Sequence, residues 1–300
     1  MLELKSIYTF LRVAELNSFT KAAEEMGYSQ STVTIQIKQL ESELGVMLFD
    51  RIGKTISLTS NGERFVSHAN EFLRLATRAM SIGKTSESLV GTLRLGVLES
   101  LFVWKVADLL PVFHNMFPHI NIEIKSATGA TLYKMLRQNE LDIIYLLDNA
   151  IYHKDCIRAC SSPVDIKFVS SPDNPLLNKK NITLSEIANQ PLVLAERDAI
   201  YRRELDHEAA KQNIEIIPAL EVDNLEVVIR LLKKNMGISF LPDYVISESI
   251  TKNELATLDV NYCNLNLWSQ LVYHKNKFLA PQMEAFIELV KQDSAQRKPE

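Results

Sequence analysis

The stretch "FTKAAEEMGYSQSTVTIQIKQLE", Phe19 to Glu41, decides how the rest of the chain is read. It carries Ala23, Gly27 and Val33 at the spacing Ala-x3-Gly-x5-Val. Two helices that cross closely need a small residue at the crossing, a glycine in the turn, and a branched apolar side chain in the angle between them. The spacing therefore predicts a helix-turn-helix. Ser18 is placed to cap a short helix over about Thr20 to Met26, which Gly27 ends. A second helix is predicted from about Ser31 to Leu44, before Gly45.

At 100° per residue, Val33, Ile37, Leu40 and Leu44 of this second helix fall within about 60° of one another and form its buried face. The opposite face holds Ser31, Ile35, Lys38 and Ser42, flanked by Thr32, Thr34 and Gln39. Within this helix no carboxylate precedes Glu41. Amides and hydroxyls can exchange hydrogen bonds with base edges, a lysine can reach a phosphate or a guanine, and a branched apolar group can lie against a thymine methyl. A merely solvated helix face has the same inventory. The Ala-Gly-Val spacing upstream decides for a groove-facing surface.

Outward from this stretch, Leu4, Ile7, Phe10, Leu11 and Ala14 predict an N-terminal helix. "FDRIGKTISLT", Phe49 to Thr59, predicts a small hairpin turning at Gly53. Ser60-x-x-Glu63 has the form of a capping box and opens a helical pattern reaching about Gly83. Its stripe of Phe65, Ala69, Phe72, Leu73, Ala76, Ala79 and Met80 finds its simplest partner in a second copy of itself; packing within its own domain is the alternative. "GKTSESLVG", Gly83 to Gly91, reads as a linker.

Beyond it the rhythm is strand and helix in alternation. "TLRLGVLE", "INIEIKSA" and "LDIIYLL" read as strands, with helices over Ala107 to Phe117 and "TLYKMLRQNE" between them. After Cys160 come strands "DIKFVSS", "PLVLAE", "EIIPALEV", "GISFLP" and "LWSQLVYHK". The intervening helices are "TLSEIAN", Tyr201 to Gln212, Leu225 to Lys234, a short one after Pro242, and a final one over Met283 to Gln292. This order predicts parallel or mixed sheets covered by helices. The closing "SAQRKPE" is expected to be disordered.

Length and composition set the outer bounds. The 300 residues suffice for two or three domains, and 46 % hydrophobic with 23 % charged residues is ordinary for a soluble globular chain. The formal charge is −4; residues 1–90 are net zero and residues 91–300 carry the whole excess of acid, so the N-terminal part is the better match for a polyanion. No apolar run approaches the roughly 20 residues of a membrane span. "MLELKSIYTF" has no signal-peptide pattern, so a cytoplasmic location is the expectation, and the odd count of three cysteines fits a reducing compartment.

"SFTKAAEEMGYSQSTVTIQIKQLESELGVMLFDR", followed by "LTSNG", resembles the N-terminal signature of LysR-type transcriptional regulators. The resemblance continues through "LLPVFHNMFPHINIEI", "NELDIIYL", "SSPDNPL" and "VIRLLKKNMGISFLPDYVI", nearly the whole chain. It implies an α+β multidomain protein. A winged helix-turn-helix would span 1–58 and a dimerising linker helix and hinge 59–90. An effector-binding domain over 91–300 would comprise two α/β subdomains like those of periplasmic binding proteins, one of about 91–161 and 269–300, the other of about 162–268. Such regulators bind double-stranded DNA and a small-molecule effector, and assemble as homodimers that pair into tetramers. The resemblance places Gln30, Ser31, Thr32, Thr34, Ile35 and Lys38 against DNA, with Arg51 and Lys54 as wing and backbone contacts. Many members have arginine at the place of Lys54 and a polar or basic residue at that of Ile35, which leaves base preference open.

Ligands of open α/β sheets sit beyond the carboxyl ends of strands, near helix N-termini. Those points here are Leu98 to Ser100, Ala127 to Thr131, Glu196 to Tyr201, and Asp223 to Leu225. The family places its effector cleft there, which makes Glu99, Ser100, Thr128, Gly129, Thr131, Arg197, Tyr201 and Asn224 the candidate effector residues. Glu99 would repel a carboxylate ligand unless Arg197 offsets it or the ligand is cationic. Glu99 can equally point to solvent or cap a helix, and serine or threonine at a helix start is an ordinary N-cap.

His153-x2-Cys156-x3-Cys160 offers three soft ligands and no fourth, so no metal or other cofactor is expected. A redox role for the two cysteines is the remaining alternative to plain packing. No G-x-S-x-G, P-loop, G-x-G-x-x-G or H-E-x-x-H occurs, and the six histidines are scattered, so catalysis is not expected.

Overall fold

The computed structural model describes residues 2–52, 55–80, 89–149, 153–262 and 265–296. The N-terminal unit holds helices α1 (Leu4–Leu16), α2 (Phe19–Met26) and α3 (Gln30–Leu44), the antiparallel strands β1 (Phe49–Ile52) and β2 (Thr55–Leu58), and helix α4 (Ser60–Met80). Ser18 caps α2 by accepting from the Lys21 N–H at 3.2 Å. Gly27 and Gly45 close α2 and α3 in the left-handed region, at φ 68° and 69°. Ala23, Val33, Ile37 and Leu40 are buried together with Ile7, Phe10, Leu11 and Ala14. The Phe10 ring meets Phe49 at 5.4 Å and Phe65 at 5.0 Å, so the first helix, the wing and α4 share one core. The expected turn at Gly53 lies outside the described residues.

The start of α4 differs from the capping box expected on Ser60. Thr59 is the capping residue: its hydroxyl accepts from the Gly62 N–H at 3.0 Å and donates to the Met47 carbonyl at 2.7 Å. The Thr59 N–H is itself tied to the Leu48 carbonyl at 3.0 Å. Pinned in this way, Thr59 rather than Ser60 stands over the open amides of the first turn. The apolar stripe of α4 divides. Ala69 and Leu73 of the stripe are buried against the N-terminal core, together with Val66 beside it, whereas Phe72 is 44 % exposed and Leu75, outside the stripe, 56 % exposed. The expected extension to Gly83 lies outside the described residues.

The remainder opens with β3 (Gly91–Val97), α5 (Glu99–Leu101), a π-helical stretch Phe102–Val106, α6 (Ala107–Met116) and β4 (Ile120–Ser126). Then come α7 (Gly129–Arg137), β5 (Ile143–Asn149) and β6 (Cys156–Val164). The chain next builds β7 (Ile166–Ser170), β8 (Ile182–Thr183), α8 (Leu184–Ala188), β9 (Val193–Ala195), α9 (Ile200–Lys211), β10 (Leu220–Val222) and α10 (Leu225–Lys233). After β11 (Ile238–Pro242), α11 (Asp243–Thr251), β12 (Ala256–Thr257) and β13 (Val260–Asn261), it returns through β14 (Leu267–His274) and ends on α12 (Pro281–Gln296).

Strands β4, β3, β5, β14 and β6 form a mixed five-stranded sheet in that order, with β3 parallel to β4 and β5, and β14 antiparallel to β5 and β6. Smaller sheets, β11-β7-β12, β10-β9 and β13-β8, make up the intervening α/β unit. Strands β6 and β14 are neighbours and carry the chain from one unit to the other and back.

Four local expectations change. β6 is not among the expected strands; as an edge strand with the composition CIRACSSPV it lacks the apolar run of a buried strand. The helix expected from Ala107 begins at Glu99, because the π-helical stretch interrupts the 3.6-residue rhythm by which it would be read. "EIIPALEV" is extended only over Leu220–Val222. Ser294, Ala295 and Gln296, expected to be disordered, belong to α12, and residues 297–300 lie outside the described residues.

Both Cys156 and Cys160 lie on β6. Four residues of strand separate their Cα atoms by roughly 13 Å, far beyond the ~7 Å a disulfide tolerates. Burial, then Asp155, pushes the Cys156 thiol up to about 12, and burial also raises Cys160. Both are protonated thiols at neutral pH, which favours packing over the redox alternative.

Candidate nucleic-acid interface and effector site

Helix α3 presents two opposed faces. Val33, Ile37 and Leu40 point inward, while Gln30, Ser31 and Lys38 are exposed, Thr32 and Thr34 half-buried, and Ile35 is 64 % exposed. The first acid of α3, Glu41, is buried: it accepts from the Leu48 N–H at 2.8 Å and the Phe49 N–H at 3.3 Å, anchoring the turn into the wing. Its charge is thereby kept off the outer face. Gln36 also turns inward, accepting from the Thr9 hydroxyl at 2.7 Å.

The outer hydroxyls are less free than their composition suggests. Ser29 caps α3 by accepting from the Thr32 N–H at 3.2 Å, and its oxygen lies 2.7 Å from the Ser31 hydroxyl and 2.8 Å from that of Thr32. Thr34 donates its proton to the Gln30 carbonyl at 2.9 Å. Thr34 thus offers a partner only its lone pairs, which suits a base amino group rather than a base carbonyl. Arg51 is in β1 opposite Ile56; its side chain, and the whole of Lys54, lie outside the described residues.

The second candidate site brings together residues of the two α/β units. The Ser100 hydroxyl, on α5, lies 2.9 Å from the hydroxyl of Tyr244, on α11. Lys105 Nζ stands 5.3 Å from the centre of the same Tyr244 ring. Burial pushes the Tyr244 hydroxyl well above its ordinary range, which keeps it a neutral donor. The Glu196 carboxyl is raised by burial and then by Asp198, Asp223, Glu99 and Glu221, so acids of both units face one another here. Arg197 does not offset Glu99: it lies 3.7 Å from Glu221 with its side chain largely in solvent.

The other expected residues are more scattered in role. Thr128 and Thr131, both exposed at the start of α7, share a hydroxyl contact of 3.1 Å, and Gly129 between them has open space where a side chain would begin. Tyr201 is buried in the core instead of facing outward. Asn224 caps α10, accepting from the Val227 N–H at 3.1 Å. Tyr244 is absent from the expected set, although it follows the carboxyl end of the strand "GISFLP" and meets the same positional rule as the four chosen loops. The Asn149 amide, which donates to Glu204 at 3.2 Å between β5 and α9, carries no local signal. A separate open concavity of about 600 Å³ lies against the end of α3, lined by Lys38, Glu41, Ser42, Gly45, Val46 and Met47.

Comparison with known proteins joins the two sites. The family model "Bacterial regulatory helix-turn-helix protein, lysR family" matches residues 4–63, and "LysR substrate binding domain" matches residues 86–295. A Bacillus subtilis protein described as an uncharacterized HTH-type transcriptional regulator, YwqM, is 29 % identical over 296 residues, covering 97 % of this chain and 99 % of its own. The RuBisCO operon transcriptional regulator of Allochromatium vinosum is 28 % identical over 298 residues, covering 97 % and 96 %. Among solved structures, CrgA, a LysR-type transcriptional regulator from Neisseria meningitidis, shares the fold with a TM-score of 0.54 at 20 % identity, over 97 % of this chain and 99 % of its own. HinK, a LysR family transcriptional regulator from Pseudomonas aeruginosa, does so with 0.56 at 18 %, over 98 % and 99 %. From its helix-turn-helix to its last α/β unit, the chain belongs to the LysR family of bacterial transcriptional regulators.

Proposed function

We propose that this regulator reads DNA with the outer face of α3, through Gln30, Ser31, Thr32, Thr34, Ile35 and Lys38, while Arg51 and Lys54 grip the backbone from the wing. The observation that carries this is the division of α3: an apolar face buried in its own core, and a face left to solvent around Ile35 and Lys38 with no acid before Glu41, which is itself buried. Ile35→Ala is expected to lower discrimination at one T·A position by about tenfold, with non-specific affinity nearly unchanged. Arg51→Ala is expected to weaken binding to all sequences and reduce the log–log salt slope by about 1. Gel-shift titration of genomic fragments at several salt concentrations measures both. Equal loss on every fragment for Ile35→Ala would remove the base contact.

The effector is proposed to lie between the units of about 91–161 with 269–300 and about 162–268, in reach of Glu99, Ser100, Thr128, Gly129, Thr131, Arg197 and Asn224, while Tyr201 packs in the core behind them. The Ser100–Tyr244 contact adds Tyr244 to that set, since it spans the two units. A ligand that needs the part of the Ser100 hydroxyl engaged by Tyr244 must displace that tyrosine. Tyr244→Phe is therefore expected to lower the metabolite concentration needed for half-maximal response by about three- to tenfold. The test is gel shift with and without candidate metabolites, and an unchanged midpoint would place the ligand elsewhere. The protein acts by binding rather than by catalysis, and its compartment is the cytoplasm. The exposed Phe72 and Leu75 on α4 support self-association into a homodimer, and the proposed assembly is a tetramer of two such pairs.

A further inference from the structure

The turn between β14 and α12 reaches out of the effector half and into the DNA-binding unit. Lys277 Nζ, with a side chain only 6 % exposed, lies 2.6 Å from Glu15 of α1 and 2.7 Å from Asp142 at the head of β5. It also donates to the side chain of Asn139. Glu15 has a side chain 2 % exposed and shares its other oxygen with Arg12, which reaches on to Glu25 of α2. Asp142 is held from behind by Arg94 of β3. The next residue, Phe278, packs on the N-terminal core and meets the Tyr8 ring edge-on at 6.3 Å. Lys275 lies 3.6 Å from Glu63 at the start of α4.

We infer that this turn is an internal latch: Lys277 and Phe278 hold the DNA-binding unit against the effector half in one orientation, and the orientation of α3 on DNA is set through that contact. Three features give it the properties of a switch. An ammonium buried this deeply needs its counter-charges, and those come from both units, Glu15 from one and Asp142 from the other, so the pocket is complete only when the units are docked. The net strength of a buried ion pair is small even though removing one partner is costly, so a modest push from the effector half suffices to open it. The docked turn leaves the outer face of α3 uncovered, with Ile35 and Lys38 exposed, so docking restrains direction without blocking the groove-facing side chains.

The inference rests on the DNA-binding reading only for its second readout. The first is hydrogen exchange in the full-length chain, comparing wild type with Glu15→Gln and with Tyr8→Ala. Both substitutions lie in the N-terminal unit, yet amides 275–277 are expected to exchange about tenfold faster in each variant. In wild type the Lys275 N–H is bonded to Asp155 and the Lys277 N–H to His274. Amides of β3, β5 and β14 should keep their wild-type rates. The second readout uses duplexes selected by the wild-type chain from a random pool and then lengthened by about two base pairs between the protected halves. Wild type should lose roughly tenfold or more in affinity, and the variants less than about threefold. Exchange at 275–277 within about twofold of wild type in both variants, or a rise spread evenly over the whole chain, overturns the latch whatever the DNA result. Faster exchange with unchanged tolerance to spacing overturns its control of α3.

Discussion

Replacing Gly62 by alanine is expected to lower the stability of the N-terminal unit by about 3 kcal/mol or more, and with it DNA binding at physiological temperature. A Cβ built on Gly62 would stand 2.1 Å from the Leu48 carbonyl oxygen and 2.9 Å from a methyl of Leu58. The methyl can rotate away. The oxygen cannot, because it is backbone and already accepts from the Thr59 N–H. Nor can α4 retreat, since Thr59 fixes its first turn to Met47 and Leu48 at once. The remaining route is to break the clamp, which detaches α4 from the core it shares with Phe10 and Phe49. Urea unfolding of wild type and Gly62→Ala, followed by circular dichroism, measures the loss. A midpoint within experimental error of wild type would mean that the helix start yields where the clamp says it should not.

Asp142→Ala is expected to cost about 3–5 kcal/mol, the range for a buried ion pair broken from one side. Its carboxylate accepts from the Arg94 backbone N–H at 2.8 Å and from the Arg94 side chain, and it lies 2.7 Å from Lys277. Without it two cations lose their shared anion, one of them in a pocket closed to water. The pH dependence has a definite sign. Burial pushes the carboxyl up, but Lys277 and Arg94 together outweigh burial and hold it below the usual carboxylate range. Its contribution is therefore complete above about 3.9, the ordinary aspartate value, and is lost as the pH falls through the lowered folded value. Asp142→Asn should remove that part of the acid limb while leaving the neutral plateau lower than wild type. Thermal unfolding of both variants between about pH 3 and 7 decides it; parallel acid limbs for wild type and Asp142→Asn would show that the carboxylate is not held by its cations.

The helix-turn-helix is legible because everything that makes it lies close together in the chain. Ala23, Gly27 and Val33 act through local geometry, and the buried face of α3 follows from a 100° step. The strands β3, β4 and β5 are legible for a similar reason, the first two from their alternation of apolar and other residues and the third from its apolar run. What stays hidden depends on partners distant in the chain or on irregular backbone. Nothing in CIRACSSPV marks a strand until β14 is laid beside it. The π-helical stretch moves the helix start to Glu99 without any proline or glycine to announce it. Arg197 is the obvious counter-charge for Glu99 by composition, yet pairs in space with Glu221, because loop direction is not written in residue spacing. The link from Lys277 to Glu15 spans most of the chain, and no local pattern distinguishes that lysine from its neighbour Lys275.

Among the described residues, every non-glycine residue with positive φ is an asparagine: Asn17, Asn139, Asn181, Asn213, Asn235 and Asn253, at φ between 47° and 58°. Asn17 directly follows α1, and Asn139, Asn213, Asn235 and Asn253 each stand two residues past the end of an α-helix, where asparagine is the common substitute for glycine. For a lineage accumulating substitutions, glycine is the one replacement that keeps such a backbone angle at no steric cost. At Asn139 the same replacement would preserve the angle and delete the acceptor that faces Lys277. Drift from asparagine to glycine, tolerable to the backbone at all of these places, would at that one alter how the two halves of the protein hold each other.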